Sequence, residues 1–108
     1  QMLDIARNYT TVDHLKKLID ILSSYKLNVL QFHFSDDEGW RLEIPGLEEL
    51  TAIGSRRGHT TDEKDWLYPA YDGGYDPCAA TSGNGYYTRE EFIDLLRYAT
   101  ERHVQVIP

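Results

Sequence analysis

The chain has 108 residues, a length that accommodates one domain and excludes a second. Hydrophobic residues at 41% and charged residues at 27% exclude a disordered chain. Eleven Lys and Arg against eighteen Asp and Glu leave a net charge of −7. The basic residues are scattered, which argues against nucleic acid or an anionic membrane surface as partners. Apolar runs such as Trp66-Leu67-Tyr68 are too short for a transmembrane helix or a signal-peptide core. Cys78 stands alone, so neither an intrachain disulfide nor a thiolate metal cluster can form.

The chain opens on Gln1 and moves at once into Met2-Leu3-Asp4-Ile5-Ala6, a short strand that Arg7 and Asn8 leave at its C-terminal end. Thr11 is the expected N-cap of a helix over residues 12–25, whose Val12, Leu15, Leu18, Ile19 and Leu22 form one apolar stripe. Asn28 punctuates, and Val29 to Phe34 read as a second strand with apolar Leu30, Phe32 and Phe34 alternating against Gln31, His33 and Ser35. From Ser35 to Tyr87 periodicity fades apart from a helical turn around Leu47–Leu50, which makes this a long functional or disordered loop. Thr88-Arg89-Glu90-Glu91 is a capping box, followed by Phe92, Leu95, Leu96 and Ala99 on one helical face. His103 leads into a third strand, Val104 to Ile107. Both ends read as strands, as expected of a piece of a longer protein, because boundaries usually fall in polar linkers.

Strands alternating with amphipathic helices call for parallel pairing and right-handed crossovers. The expected fold class is α/β. An eight-fold barrel takes about 250 residues, so this chain would cover roughly its first third. Barrels and doubly wound sheets both place chemistry beyond the C-terminal ends of their strands. That singles out Arg7, Asn8 and Ser35-Asp36-Asp37.

The densest cluster is His33-Phe34-Ser35-Asp36-Asp37-Glu38-Gly39-Trp40-Arg41. Three adjacent carboxylates repel one another, so in a dry site at least one is paired or strongly hydrogen-bonded. A solvated acidic turn is the plainer reading. A metal held by His33 and Asp36 fits no known ligand spacing. Arg7 offers a guanidinium to a ligand's oxygens, or a structural ion pair to Asp4, Asp36 or Asp37. The aromatics Trp66, Tyr68, Tyr71, Tyr75, Tyr86 and Tyr87 suit stacking on sugar faces or packing of the loop. His14 and His59 carry no signal, His103 suits a helix end facing water, and Cys78 lacks a nearby base.

In this order, Met2-Leu3-Asp4-Ile5-Ala6-Arg7-Asn8, Tyr25-Lys26-Leu27-Asn28, the His33–Arg41 cluster and Gly85-Tyr86-Tyr87-Thr88 resemble the family 20 glycoside hydrolases, the β-N-acetylhexosaminidases. The likeness runs over nearly the whole chain and is weakest at residues 51–84. It implies a partial (β/α)8 TIM barrel covering strands one to three, with two helices and a long loop after the second strand. It also implies substrate-assisted retaining hydrolysis of terminal β-linked N-acetylglucosamine or N-acetylgalactosamine, an exception to the two-carboxylate scheme. The family's Asp-Glu pair on the fourth strand would lie beyond Pro108, as would the histidine after the third. The resemblance places Arg7 on hydroxyls of the terminal sugar, Asp36 (in preference to Asp37) beneath that histidine, and Trp40 at the border of the sugar site. The implied partner is an N-acetylhexosamine-containing glycan, with no metal or other cofactor. Alone, residues 1–108 are expected to be inactive and, with two open sheet edges, to self-associate. The rival is a self-contained, non-catalytic sugar-binding or structural α/β module.

Overall fold

The computed structural model describes residues 1–57 and 80–108. In chain order the elements are β1 (Met2–Asp4), α1 (Val12–Ser24), β2 (Val29–His33), β3 (Ser35–Asp36), β4 (Gly39–Trp40), α2 (Glu49–Ala52), α3 (Arg89–Glu101) and β5 (Gln105–Ile107). Strands β1, β2 and β5 form a parallel sheet with β2 in the centre, in the register Leu3 to Phe32 and Leu30 to Val106. Both crossovers step the same way across the sheet, so right-handed connections place α1 and α3 on one face.

Local chemistry sets the helix ends. Thr11 caps α1 by accepting from the His14 amide, and Thr88 and Glu91 close a reciprocal capping box on α3. At the other end of each helix a residue in the left-handed region closes the last turn, Lys26 (φ 58°) after α1 and His103 (φ 57°) after α3. The Leu27 amide reaches back to Leu22 O and the Val104 amide to Ala99 O, both at 2.9 Å. The stop signal is therefore Lys26, two residues before the Asn28 that the composition points to.

Leu15, Ile19 and Leu22 of α1 and Leu95 and Ala99 of α3 are buried against Leu30 and Phe32 of β2, with Ile5, Phe34, Tyr87 and Val104 completing the core. Val12, Leu18 and Phe92 pack around it, half-buried. Lys16 to Asp94 at 2.6 Å joins the two helices along their outer seam, and Tyr98 and Arg102 both reach Asp20. On the other face of the sheet Gln31 is exposed and His33 half-buried.

The long connection holds more order than its sequence announces. β3 and β4 form a two-residue-stranded hairpin, in the register Ser35 to Trp40 and Asp36 to Gly39. The expected helical turn lies two residues later, as α2. β1 also stops sooner than expected, at Asp4, because the Ile5 and Ala6 amides both turn onto the single carbonyl of His33. Tyr87 is fully buried, with its hydroxyl donating to Thr10 O at 2.5 Å and its ring against Tyr9 and Phe34, so this aromatic packs the loop. Trp66, Tyr68, Tyr71, Tyr75, His59 and Cys78 lie outside the described residues.

Candidate functional site

The C-terminal ends of β1 and β2 meet at Arg7. Its Nη1 donates to Asp4 Oδ2 at 2.6 Å, its Nη2 stands 2.7 Å from Asp36 Oδ2, and its Nε stands 3.4 Å from Glu38 Oε2. Each carboxylate thus engages a different nitrogen of the planar fork. A guanidinium carries five N–H donors, so the two Nη groups retain further donors for a ligand. The Arg7 side chain is 44% exposed, and its pKa is raised by the Asp4 hydrogen bond and the surrounding carboxylates.

Asp36 is the most heavily bonded acid of the cluster. Its Oδ1 accepts the Asp37 amide at 2.7 Å, and its Oδ2 faces both Arg7 Nη2 and His33 Nε2 at 2.7 Å. The His33 hydrogen bond, then the Asp37 amide and the Arg7 charge, hold its carboxyl below the usual carboxylate range. An ionised carboxylate only accepts, so the proton of the His33 contact belongs on Nε2. His33 and Asp36 meet through a hydrogen bond, and among the described residues no three His, Cys, Asp or Glu side chains are arranged to hold a metal ion.

The backbone around Arg7 is braced from the loop. Arg41 is fully buried and donates to the carbonyls of Ile5, Ala6, Ser55 and Gly85 at 2.8–3.2 Å. Burial, with the nearby Arg57 charge, lowers its pKa to about 10, which leaves it a cation at neutral pH. A side chain at Gly39 would stand 2.7 Å from Arg41 Nη2, so glycine is what lets the hairpin close over this cation. Buried Arg57 donates to Arg7 O at 2.5 Å. The carbonyls on both sides of the Arg7 nitrogen and Cα are therefore held by arginines from the loop.

Of the candidate residues, Arg7 and Asp36 come together, and Asp37 and Trp40 do not touch the guanidinium. Asp37 is exposed at the hairpin turn. Trp40 packs beside Gly54, and its indole donates to Leu42 O. With Asp36, Asp37, Glu38 and Arg56 it borders a shallow groove of about 190 Å³. The sequence alone assigns no role to Glu38, Arg41 or Arg57. Arg57 carries no local signal, whereas a charged residue next to Gly39 and Trp40 was the available hint for Glu38 and Arg41.

The whole chain, residues 1–108, matches the model of glycosyl hydrolase family 20, catalytic domain, and belongs to that family. It is 43% identical over 107 residues to an N,N'-diacetylchitobiase of Vibrio harveyi, covering 99% of this chain and 12% of that protein. A β-hexosaminidase of Vibrio vulnificus is 41% identical, with 98% and 12% covered. The solved exo-β-N-acetylglucosaminidase of Vibrio harveyi, in complex with N-acetylglucosamine, superposes with a TM-score of 0.77 at 41% identity, covering 99% of this chain and 15% of that one. The Streptomyces plicatus β-hexosaminidase complexed with thio-NAglucal gives a TM-score of 0.73 at 35% identity, with 99% and 17% covered. The chain thus spans about an eighth of the length of the first two relatives. Its three parallel strands are part of a (β/α)8 barrel.

Proposed function

We propose that residues 1–108 are one stretch, from the first to the third barrel strand, of the catalytic domain of a β-N-acetylhexosaminidase. The full-length protein removes terminal β-linked N-acetylglucosamine or N-acetylgalactosamine from glycans. The substrate's acetamido oxygen attacks the anomeric carbon while the leaving oxygen takes a proton from an acidic Glu. Water then opens the oxazolinium ring with net retention, a route distinct from the usual carboxylate nucleophile. Neither that Glu nor the Asp that orients the acetamide is assigned within these residues, so the isolated chain is inactive. Arg7 donates to hydroxyls of the terminal sugar. Asp36, with Asp37 beside it, anchors a histidine that tunes the acid, and Trp40 borders the sugar.

The observation that carries this reading is Arg7: a half-exposed guanidinium at the carboxyl end of β1, oriented by three carboxylates and with donors to spare. The second reading, a purely structural ion pair, draws on the same contacts with Asp4 and Asp36. Arg7→Ala in the full-length protein separates them. One lost charged hydrogen bond removes about 1.5–3 kcal/mol. On an aryl β-N-acetylglucosaminide, kcat/KM per folded molecule is then expected to fall roughly ten- to a hundredfold. A lower Tm with kcat/KM per folded molecule unchanged establishes the structural role instead.

A further inference from the structure

Glu38 occupies an unusual position for a charged residue. It is one of the two turn residues of the β3–β4 hairpin, where side chains ordinarily face water. Its neighbour Asp37 does so, yet the Glu38 side chain is only 5% exposed. Glu38 Oε2 is shut off from solvent and accepts no hydrogen bond among the described residues. Arg7 Nε stands 3.4 Å away, an ion pair without a hydrogen bond. Desolvating a carboxylate is costly unless a charge or donors compensate it. The hairpin therefore carries a buried charge whose visible counterpart is the Nε side of Arg7.

We propose that Glu38 is a positioning residue for Arg7, drawing the Nε edge of the guanidinium inward so that the Nη groups are presented to the sugar. Asp4 and Asp36 bind Nη1 and Nη2 on opposite sides of the Cζ–Nε axis, and these two contacts set the plane of the fork. The third contact, at Nε, lies next to the stem and sets how far the whole guanidinium leans toward the hairpin. Being shielded from water, the Glu38 charge acts on Arg7 with less screening than an exposed carboxylate would. Displacing a substrate-binding group by a fraction of its reach is enough to weaken ground-state binding, because its remaining donors no longer meet the hydroxyls at hydrogen-bonding distance.

This inference rests on the reading of Arg7 as a sugar ligand, and a double-mutant cycle in the full-length protein separates the two. Glu38→Gln keeps the shape and removes the charge. It is expected to raise KM for an aryl β-N-acetylglucosaminide roughly tenfold with kcat nearly unchanged, since a ground-state contact is weakened. In an Arg7→Ala background the same change has no further effect on kcat/KM. A wild-type KM in folded Glu38→Gln overturns the inference, and so does an equal loss in both backgrounds, which shows Glu38 acting without Arg7. Wild-type kcat/KM in Arg7→Ala alone overturns the sugar-ligand reading itself. If Glu38→Gln does not fold, Glu38→Asp, which retains the charge one methylene further back, is expected to raise KM to a smaller degree and only where Arg7 is present. A rise of equal size without Arg7 overturns the inference.

Discussion

At the scale of single residues, the site is governed by how its charges share partners. Asp36 keeps its charge because His33, the Asp37 amide and Arg7 all favour the ionised form, in that order of weight. A carboxyl whose folded pKa is depressed stabilises the fold above its unfolded value, and that contribution is lost as pH falls through the lower folded pKa. A carbon-13 titration of the Asp36 carboxyl in the full-length protein is expected to show a midpoint below the ordinary aspartate value. His33→Ala is expected to move that midpoint up further than Arg7→Ala does, since the His33 hydrogen bond is the larger cause. A midpoint at or above the ordinary value, or a larger response to Arg7→Ala, contradicts this arrangement.

At the scale of elements, the loop after β2 acts as a brace for the end of β1. Arg41 binds two pairs of carbonyls outside any strand or helix ladder, one pair at Ile5 and Ala6 and the other at Ser55 and Gly85, of which Ser55 O also accepts the Gly85 amide at 3.0 Å. A buried carbonyl left without a donor costs about 1–3 kcal/mol. Arg41→Met in the full-length protein is therefore expected to cost several times that and to lower Tm sharply. Arg41→Lys restores little, because three donors radiating from one nitrogen cannot span the two carbonyl pairs that a planar fork reaches. Equal Tm values for Arg41→Lys and wild type contradict the brace. The sequence makes some of these elements plain and hides others for a physical reason. The Thr11 and Thr88 caps and the Leu15-Ile19-Leu22 stripe are local, so their partners lie within a helical turn or two. Arg41 finds Ala6 across 35 positions and Arg57 finds Arg7 across 50, and no periodicity encodes such a pairing. The β3–β4 hairpin has strands of two residues and an Asp-Glu turn without the Gly or Asn that usually marks one.

At the scale of the whole molecule, strand order decides where chemistry can sit. The order β1, β2, β5 with both helices on one face is that of a singly wound sheet, which curls toward its uncovered side and brings the carboxyl ends of its strands around one mouth. Arg7, His33 and Asp36 lie at that mouth, as the alternation of strands and helices led one to expect of Arg7 and Asp36. The Arg7–Asp36 pair is one of the alternatives the sequence leaves open, whereas the His33–Asp36 hydrogen bond and the Glu38 contact emerge only in the folded geometry. On the proposed function, these residues form part of a retaining β-N-acetylhexosaminidase site completed by other parts of the barrel. Time-resolved proton NMR of an aryl β-N-acetylglucosaminide with the full-length protein, and in parallel with residues 1–108 alone, tests it most directly. The full-length protein is expected to release the sugar first as its β-anomer, with the isolated chain indistinguishable from buffer. Initial release of the α-anomer, no turnover by the folded full-length protein, or turnover that scales with the concentration of the isolated chain would contradict it.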